Sequence, residues 1–363
     1  MRSAPVLSAL VFLGLCPAWG QFGQWQQQTS GTGAQLRGIS AVSATVAWAS
    51  GAQGTVLRTV DGGQTWTRLP VPESEELDFR DIQAFDQNTA FILSIGEGDK
   101  SRIYKTSDGG KSWQLQFTNR DPKAFYDCFA FWDSKHGIAL SDAVDGTFPL
   151  ISTSDGATWA AVKTKSMPAA LAGEGAFAAS GTCIATYGKS DVWFGTGIPA
   201  ARVFHSHDRG ANWTVAETPV LHGTASQGIF SLFFWSEKDG VAVGGDYQNP
   251  TDADKNAAVT HDGGKSWSLS ASFPRGYRSS VDQGTLSGAM QGRGVLVAVG
   301  TGGTDYSLDW GKDWVAEMTN VPGMHADNHA YNAVSCFQDT CWAVGPEGAI
   351  AMQRRPPPGV IIN

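Results

Sequence analysis

The chain has 363 residues, a formal net charge of −8 and 17% charged residues, with 44 Gly and 14 Trp. An acidic chain without a Lys/Arg cluster is a poor match for nucleic acid. Few charges, many glycines and many large rings fit short strands, tight turns and aromatic-filled cores.

The first 20 residues carry Arg2, an apolar run over 6–15 and a small-residue end, Ala18-Trp19-Gly20. This reads as a secretory leader cleaved before Gln21, too short to span a bilayer. In a lipoprotein leader Cys16 would carry the lipid, but Leu15 before it is too bulky for that reading. Without the leader the formal charge is −9, and no later segment reaches 18 unbroken apolar residues. The mature chain is therefore expected to be soluble, without a membrane span, and secreted or periplasmic.

From residue 59 onward a pattern recurs: Ser/Thr-x-Asp-x-Gly-x-x-Trp, at 59–66, 106–113, 206–213, 260–267 and 307–314, with a shortened copy at 153–159. Its aspartates (Asp61, Asp108, Asp155, Asp208, Asp262, Asp309) stand 47, 47, 53, 54 and 47 residues apart. Repeats of roughly 40–50 residues mean a propeller or solenoid. Each carboxylate can accept N–H groups of the turn that follows it, and the glycine supplies positive φ at little cost. Trp66, Trp113, Trp159, Trp213, Trp267 and Trp314 then re-enter a strand and can cover the turn. Six copies cannot all be one active site, so the pattern reads as a structural fastener.

Each repeat reads as four short strands, A to D; the first gives 36–42, 45–49, 54–59 and 66–69. Further repeats run over 79–117, 125–162, 180–215, 228–269 and 284–317. The seventh, 330–353, has three strands and no box, and a Pro-rich tail, 354–363, follows. Its missing strand is expected from residues 23–28, with Trp25 in place of the box Trp. Closure of this kind removes free sheet edges. The expectation is an all-β, seven-bladed β-propeller of four-stranded blades over 21–353, closed by the N-terminal strand pairing into the last blade.

Four cysteines follow the leader. Cys336 and Cys341 bracket a predicted hairpin turn and are expected to bridge it; Cys128 and Cys183 are either buried thiols or a second bridge. No pair has CxxC spacing, so neither a thiolate metal site nor a haem site is expected. With almost no helix predicted there is no GxGxxG opening one, and no cofactor is expected.

At the six boxes the chain resembles the Asp-box, or bacterial neuraminidase repeat (BNR), superfamily of sialidase-like, sortilin-like and photosystem II assembly-factor-like propellers. The resemblance covers nearly the whole mature chain and implies a fold rather than an activity. In Asp-box sialidases the active site lies opposite the boxes. Here that opposite face carries the long D–A segments 160–179, 215–227, 270–283 and 317–329, and the B–C loops 141–148 and 244–256. Long loops on a rigid scaffold are where binding and catalysis concentrate.

Residues expected to point into the central funnel from that face are Arg37, Arg80, Asp81, Tyr126, Asp127, Arg278, His329 and Tyr331. Loops add Asp142, Asp145, Glu174, His222, Asp246, Tyr247 and Asp282. For a glycoside hydrolase or polysaccharide lyase, Glu174, Asp246, Asp127 and His222 are the candidate acids and bases. Arg80, Tyr126, Asp142, Tyr247, Arg278 and His329 are candidate binding residues. His136, His205, His207 and His261 fall in or beside turns and boxes and read as structural. A sialidase would need three arginines and an early Arg-Ile-Pro-like motif, and no such motif stands near the first strands. The resemblance to assembly-factor-like propellers implies a scaffold that holds a protein partner; a monomeric chain with a protein or carbohydrate ligand is expected. Glycan cleavage on the same face is the alternative. The overall charge favours a basic or carbohydrate partner over an acidic one.

Overall fold

A computed structural model of the chain describes residues 24–285, 294–316 and 330–354. The leader with Cys16, His329 and the tail from 355 lie outside these residues. Seven four-stranded antiparallel sheets are arranged as blades. The first strand of each blade touches the first strands of both neighbours, so the ring closes on itself. Blade 1 is built from Leu36–Ala41, Ala47–Gly51, Thr55–Thr59 and Thr67–Arg68, inner to outer. Among the described residues no helix is long and apolar enough to cross a membrane.

The last blade takes three strands from the C-terminal end (Ala333–Phe337, Thr340–Val344, Ile350–Arg354) and its outer strand, Gln26–Gln28, from the N-terminal end. Gln26 pairs with Met352 and Gln28 with Ile350. Trp25 is buried just before that strand, where a box Trp stands in the other blades, and packs against Tyr331 at 5.4 Å.

Alternation along each strand sends one set of side chains to each neighbouring blade. The core is accordingly divided, with a separate apolar cluster at each of the seven interfaces between blades. Between blades 1 and 2, Trp48, Ile82, Tyr104 and Trp113 meet; between 4 and 5, Trp193, Leu232 and Phe234 do. Around the channel, polar side chains of one inner strand accept amide N–H groups of the next. Ser40 accepts Ala84 N–H, Asp81 accepts Phe129 N–H at 2.8 Å, and Asp282 accepts Cys336 N–H at 2.7 Å. These bonds staple blades together and satisfy inner-strand amides that have no partner within their own sheet. Cys128 and Cys183 form a disulfide between blades 3 and 4; Cys336 and Cys341 form one across the hairpin of blade 7.

In every box the aspartate accepts its own Ser/Thr hydroxyl and a downstream amide, and the box at 106–113 shows the full pattern. Thr106 donates its hydroxyl to Asp108 Oδ1 (2.9 Å) and accepts Gly110 N–H (2.9 Å). Ser112 gives its amide to Oδ1 (3.0 Å) and its hydroxyl to Oδ2 (2.6 Å). The Ser112 hydroxyl, then its amide, hold the Asp108 carboxyl down to about 2. The boxes and the A–B turns share one face, as Gly62 N–H bonding to Thr45 C=O shows.

Two elements depart from the sequence reading. The inner strand of blade 4, expected from 180, is Ile184–Tyr187, because residues 178–181 turn away to cover the channel mouth. The inner strand of blade 6 starts at Ser280, ahead of the expected 284, since Ser279 and Ser280 hydroxyls bond to the inner strand region of blade 7.

Candidate functional site

On the face opposite the boxes lies a cavity of about 490 Å³, lined by Gln35, Arg37, Arg80, Phe177, Ala178, Ala179, Phe230, Tyr247, Tyr277, Thr301, Asn332 and Pro346. Its floor is the segment between blades 3 and 4, which crosses the channel mouth. Arg37, on the inner strand of blade 1, donates to Ala179 C=O at 3.2 Å. Arg80, on that of blade 2, donates to Ala178 C=O at 2.9 Å and to Asp78 at 2.8 Å. Ser180 donates to Ser279 C=O at 2.7 Å, and Phe177 stacks on Phe230 of blade 5 at 3.9 Å. The crossing segment is thus tied to blades on both sides of the ring. Gly181 has φ +80°, and a Cβ there would collide with the Asp81 carboxylate beneath it, so glycine lets this plug descend.

The cavity has an apolar and a cationic side. Phe230 meets Tyr277 edge-on at 4.7 Å, and Tyr247 lies 6.1 Å from Phe230 and 6.4 Å from Tyr277. Tyr247 is 45% exposed, a large ring left open on a rigid loop. Its neighbour Asp246 explains the loop's shape: it accepts Gln248 N–H (2.9 Å), the Asn249 side-chain amide (2.9 Å) and that of Gln227 (3.2 Å). Burial pushes the Asp246 carboxyl up, but bonds from Asn249, Ser226, Gln248 and Gln227 outweigh it and hold the group at about 2. Across the cavity, burial and then the Arg80 charge lower the Arg37 pKa, while Asp78 opposes them. Arg37 Nε is buried without a hydrogen-bond partner. Burial also raises the Tyr277 hydroxyl, keeping it neutral.

Of the residues proposed from sequence for binding, the structure brings Arg80 and Tyr247 to the cavity. Asp142 acts from behind, accepting Ala176 N–H at 2.8 Å and so anchoring the plug; burial raises it to about 6. Tyr126 is buried against Phe117 at 5.3 Å, away from the cavity lining, and burial pushes its hydroxyl up to about 12. Arg278 is fully buried, ion-paired with Asp305, and donates Nη1–H to Tyr277 C=O at 2.7 Å, which fixes the backbone beside it. His329 lies outside the described residues.

The candidate acids and bases scatter. Glu174 is buried, pairs through both oxygens with Arg202, and accepts Thr196 Oγ1–H (2.7 Å) and Leu171 N–H (2.8 Å). Every lone pair direction is used, so it works as a strut for the plug. Asp127 is buried in the channel with one oxygen unpartnered; burial, then Asp142, raise its pKa well above the usual carboxylate range. His222 is exposed on the segment before blade 5 and bonds to Val220 C=O at 2.7 Å, outside the lining. Asp145 is exposed and pairs with Lys123. Sequence reasoning missed Phe230, Asn332, Thr301 and Pro346. Phe230 had a signal, an aromatic at the mouth end of an inner strand, whereas the others are ordinary turn residues.

Four-stranded blades fastened by six Asp-boxes around a closed ring define a BNR-repeat β-propeller. Within that class the chain resembles the photosystem II assembly factors: residues 18–176 match the family described as photosynthesis system II assembly factor YCF48. The photosystem II assembly lipoprotein Ycf48 of Synechococcus sp. (strain CC9902) is 23% identical over 61% of this chain, and the match spans 57% of that relative's length. A solved structure of YCF48 bound to D1 peptide superposes with a TM-score of 0.61 at 15% identity, covering 94% of this chain and 99% of that one. Virginiamycin B lyase from Staphylococcus aureus superposes equally well (TM-score 0.62, 9% identity, 92% and 99% covered), so likeness of this kind speaks for the fold.

Proposed function

We propose that the chain is an exported scaffold that grips an extended segment of a protein partner in the cavity opposite the boxes. The observation that carries this is the pairing of an aromatic wall (Phe177, Phe230, Tyr247, Tyr277) with the guanidiniums of Arg37 and Arg80 over one concavity. Rings offer apolar area at low entropic cost, and guanidiniums match carboxylates and backbone carbonyls, so one segment engages both. Although the chain is acidic overall, this concavity is locally cationic and accepts a carboxylate. The peptide-bound YCF48 structure and the lipoprotein relative support a protein partner and an exported address.

Glycan cleavage has less support. It needs two available carboxylates, and Glu174 and Asp246 are saturated by protein donors while Asp127 lies under the plug. The test is a panel of labelled short peptides, with free or amidated C-termini, titrated against the wild type, Tyr247→Ala and Arg80→Ala. Some peptides should bind, with roughly tenfold or greater losses in both variants. Equal binding to all three proteins would sink the assignment, as would new reducing ends or unsaturated uronates from a polysaccharide panel.

A further inference from the structure

A different cluster stands on the box face of blade 4. Strand Arg202–Ser206 runs into its box as His205-Ser206-His207, and a two-residue period puts both imidazoles on one side of the strand. The neighbouring strand, Asp191–Gly195, pairs Val192 with Ser206, which sets Asp191 across from His207. The three donor atoms lie within 4.8 Å of one another. Asp191 Oδ1 is 3.1 Å from His205 Nε2 and 2.6 Å from His207 Nδ1.

We propose that Asp191, His205 and His207 form a binding site for one divalent transition-metal ion of the Zn²⁺ class. Two imidazoles and a carboxylate are a donor set that zinc and its neighbours favour, with bonds of about 2.0–2.2 Å. Ligand atoms around such an ion sit roughly 3.3 Å apart, so the present separations need a small spread and no refolding. Neutral rings can accept the ion without net proton release, each moving its N–H to the other ring nitrogen. The site is also held in place. His205 is buried and stacked on Trp193 at 4.4 Å, and Trp132 donates its indole N–H to Asp191 C=O at 2.8 Å. Side-chain exposure of His207 is 66%, leaving room for water or a partner's ligand to complete the coordination.

Blade 5 supplies an internal control. There His261 occupies the same box position and bonds to Asp239 at 2.9 Å, with Gly240 paired to Thr260. The position matching His205 is Val259, so blade 5 has the pair without the third donor. At the position of His207 the other boxes carry Val60, Ser107, Ser154 and Leu308.

The experiment is a titration of the chelator-treated full chain with Zn²⁺ by calorimetry, and with Co²⁺ by its visible absorption. One ion per chain should bind, roughly tenfold or more weakly in His207→Ala, and unchanged in His261→Ala. His207→Ala alters an exposed side chain, so loss of binding there is not loss of fold. Val259→His should raise the stoichiometry towards two. Absence of saturable binding, or equal affinity in wild type and His207→Ala, overturns the assignment.

Discussion

The two faces of the ring solve the same problem by opposite means. On the box face each box carboxylate is satisfied within its own turn: Asp61, Asp108 and Asp208 bond to residues two to four positions away. On the other face the groups that hold the plug are satisfied across the molecule. Arg37 reaches Ala179, Arg80 reaches Ala178, and Glu174 reaches Arg202. Local satisfaction repeats and tolerates change blade by blade; long-range satisfaction is used once and couples several blades. The box face is therefore built for closure, and the other for a single shaped surface.

The largest way to break the contrast is to remove residues 24–28. This strips the outer strand from the last blade and bares the Ile350–Arg354 edge. Loss of cooperative unfolding in calorimetry, with self-association on size exclusion, is the expected outcome. Next comes Glu174→Ala, which leaves Arg202 buried and unpaired. A loss of about 3–5 kcal/mol in urea denaturation is expected, with weaker peptide binding because the plug loosens. Glu174→Gln, retaining shape and most acceptors, should lose less.

The two faces should also answer pH with opposite sign. Asp108 is held down, so its contribution is complete above the unfolded value of about 4 and is lost as pH falls through about 2. Asp108→Ala should thus lower Tm by a few degrees at neutral pH and by progressively less as pH falls from about 4 towards 2. Asp142 is held up at about 6, so its charge costs stability increasingly from about pH 4 and fully above 6. Asp142→Asn keeps the oxygen that accepts Ala176 N–H. It should therefore stabilise by about 1–3 kcal/mol at pH 7, nearer the lower figure given residual exposure, and vanish near pH 3.5. The same sign in both variants at pH 7 would erase the distinction between the faces.

The asymmetry also explains what could be read in the sequence. Six clasps, seven blades and the role of Trp25 were visible because each depends on residues close in sequence, or on one blade visibly lacking what the others have. The site was half visible. Tyr247 sits on an unusual Gly-rich loop, and Arg80 on an inner strand. Glu174 and Arg278 looked equally suitable as ligands, and nothing local distinguishes them. Their partners Arg202 and Asp305 lie on other strands, at separations set by packing rather than by any period. The plug was invisible for the same reason: its carbonyl partners Arg37 and Arg80 stand roughly a hundred residues or more upstream.

One consequence of the closing strand concerns orientation. Gln26 lies opposite Met352, so the incoming and outgoing chain meet on the face where a seventh clasp would stand. The described chain therefore begins and ends on the face away from the cavity. A domain fused directly at residue 24 or 354 would meet the ring on the side of the clasps and leave the cavity mouth uncovered, so tags are best placed at these two points.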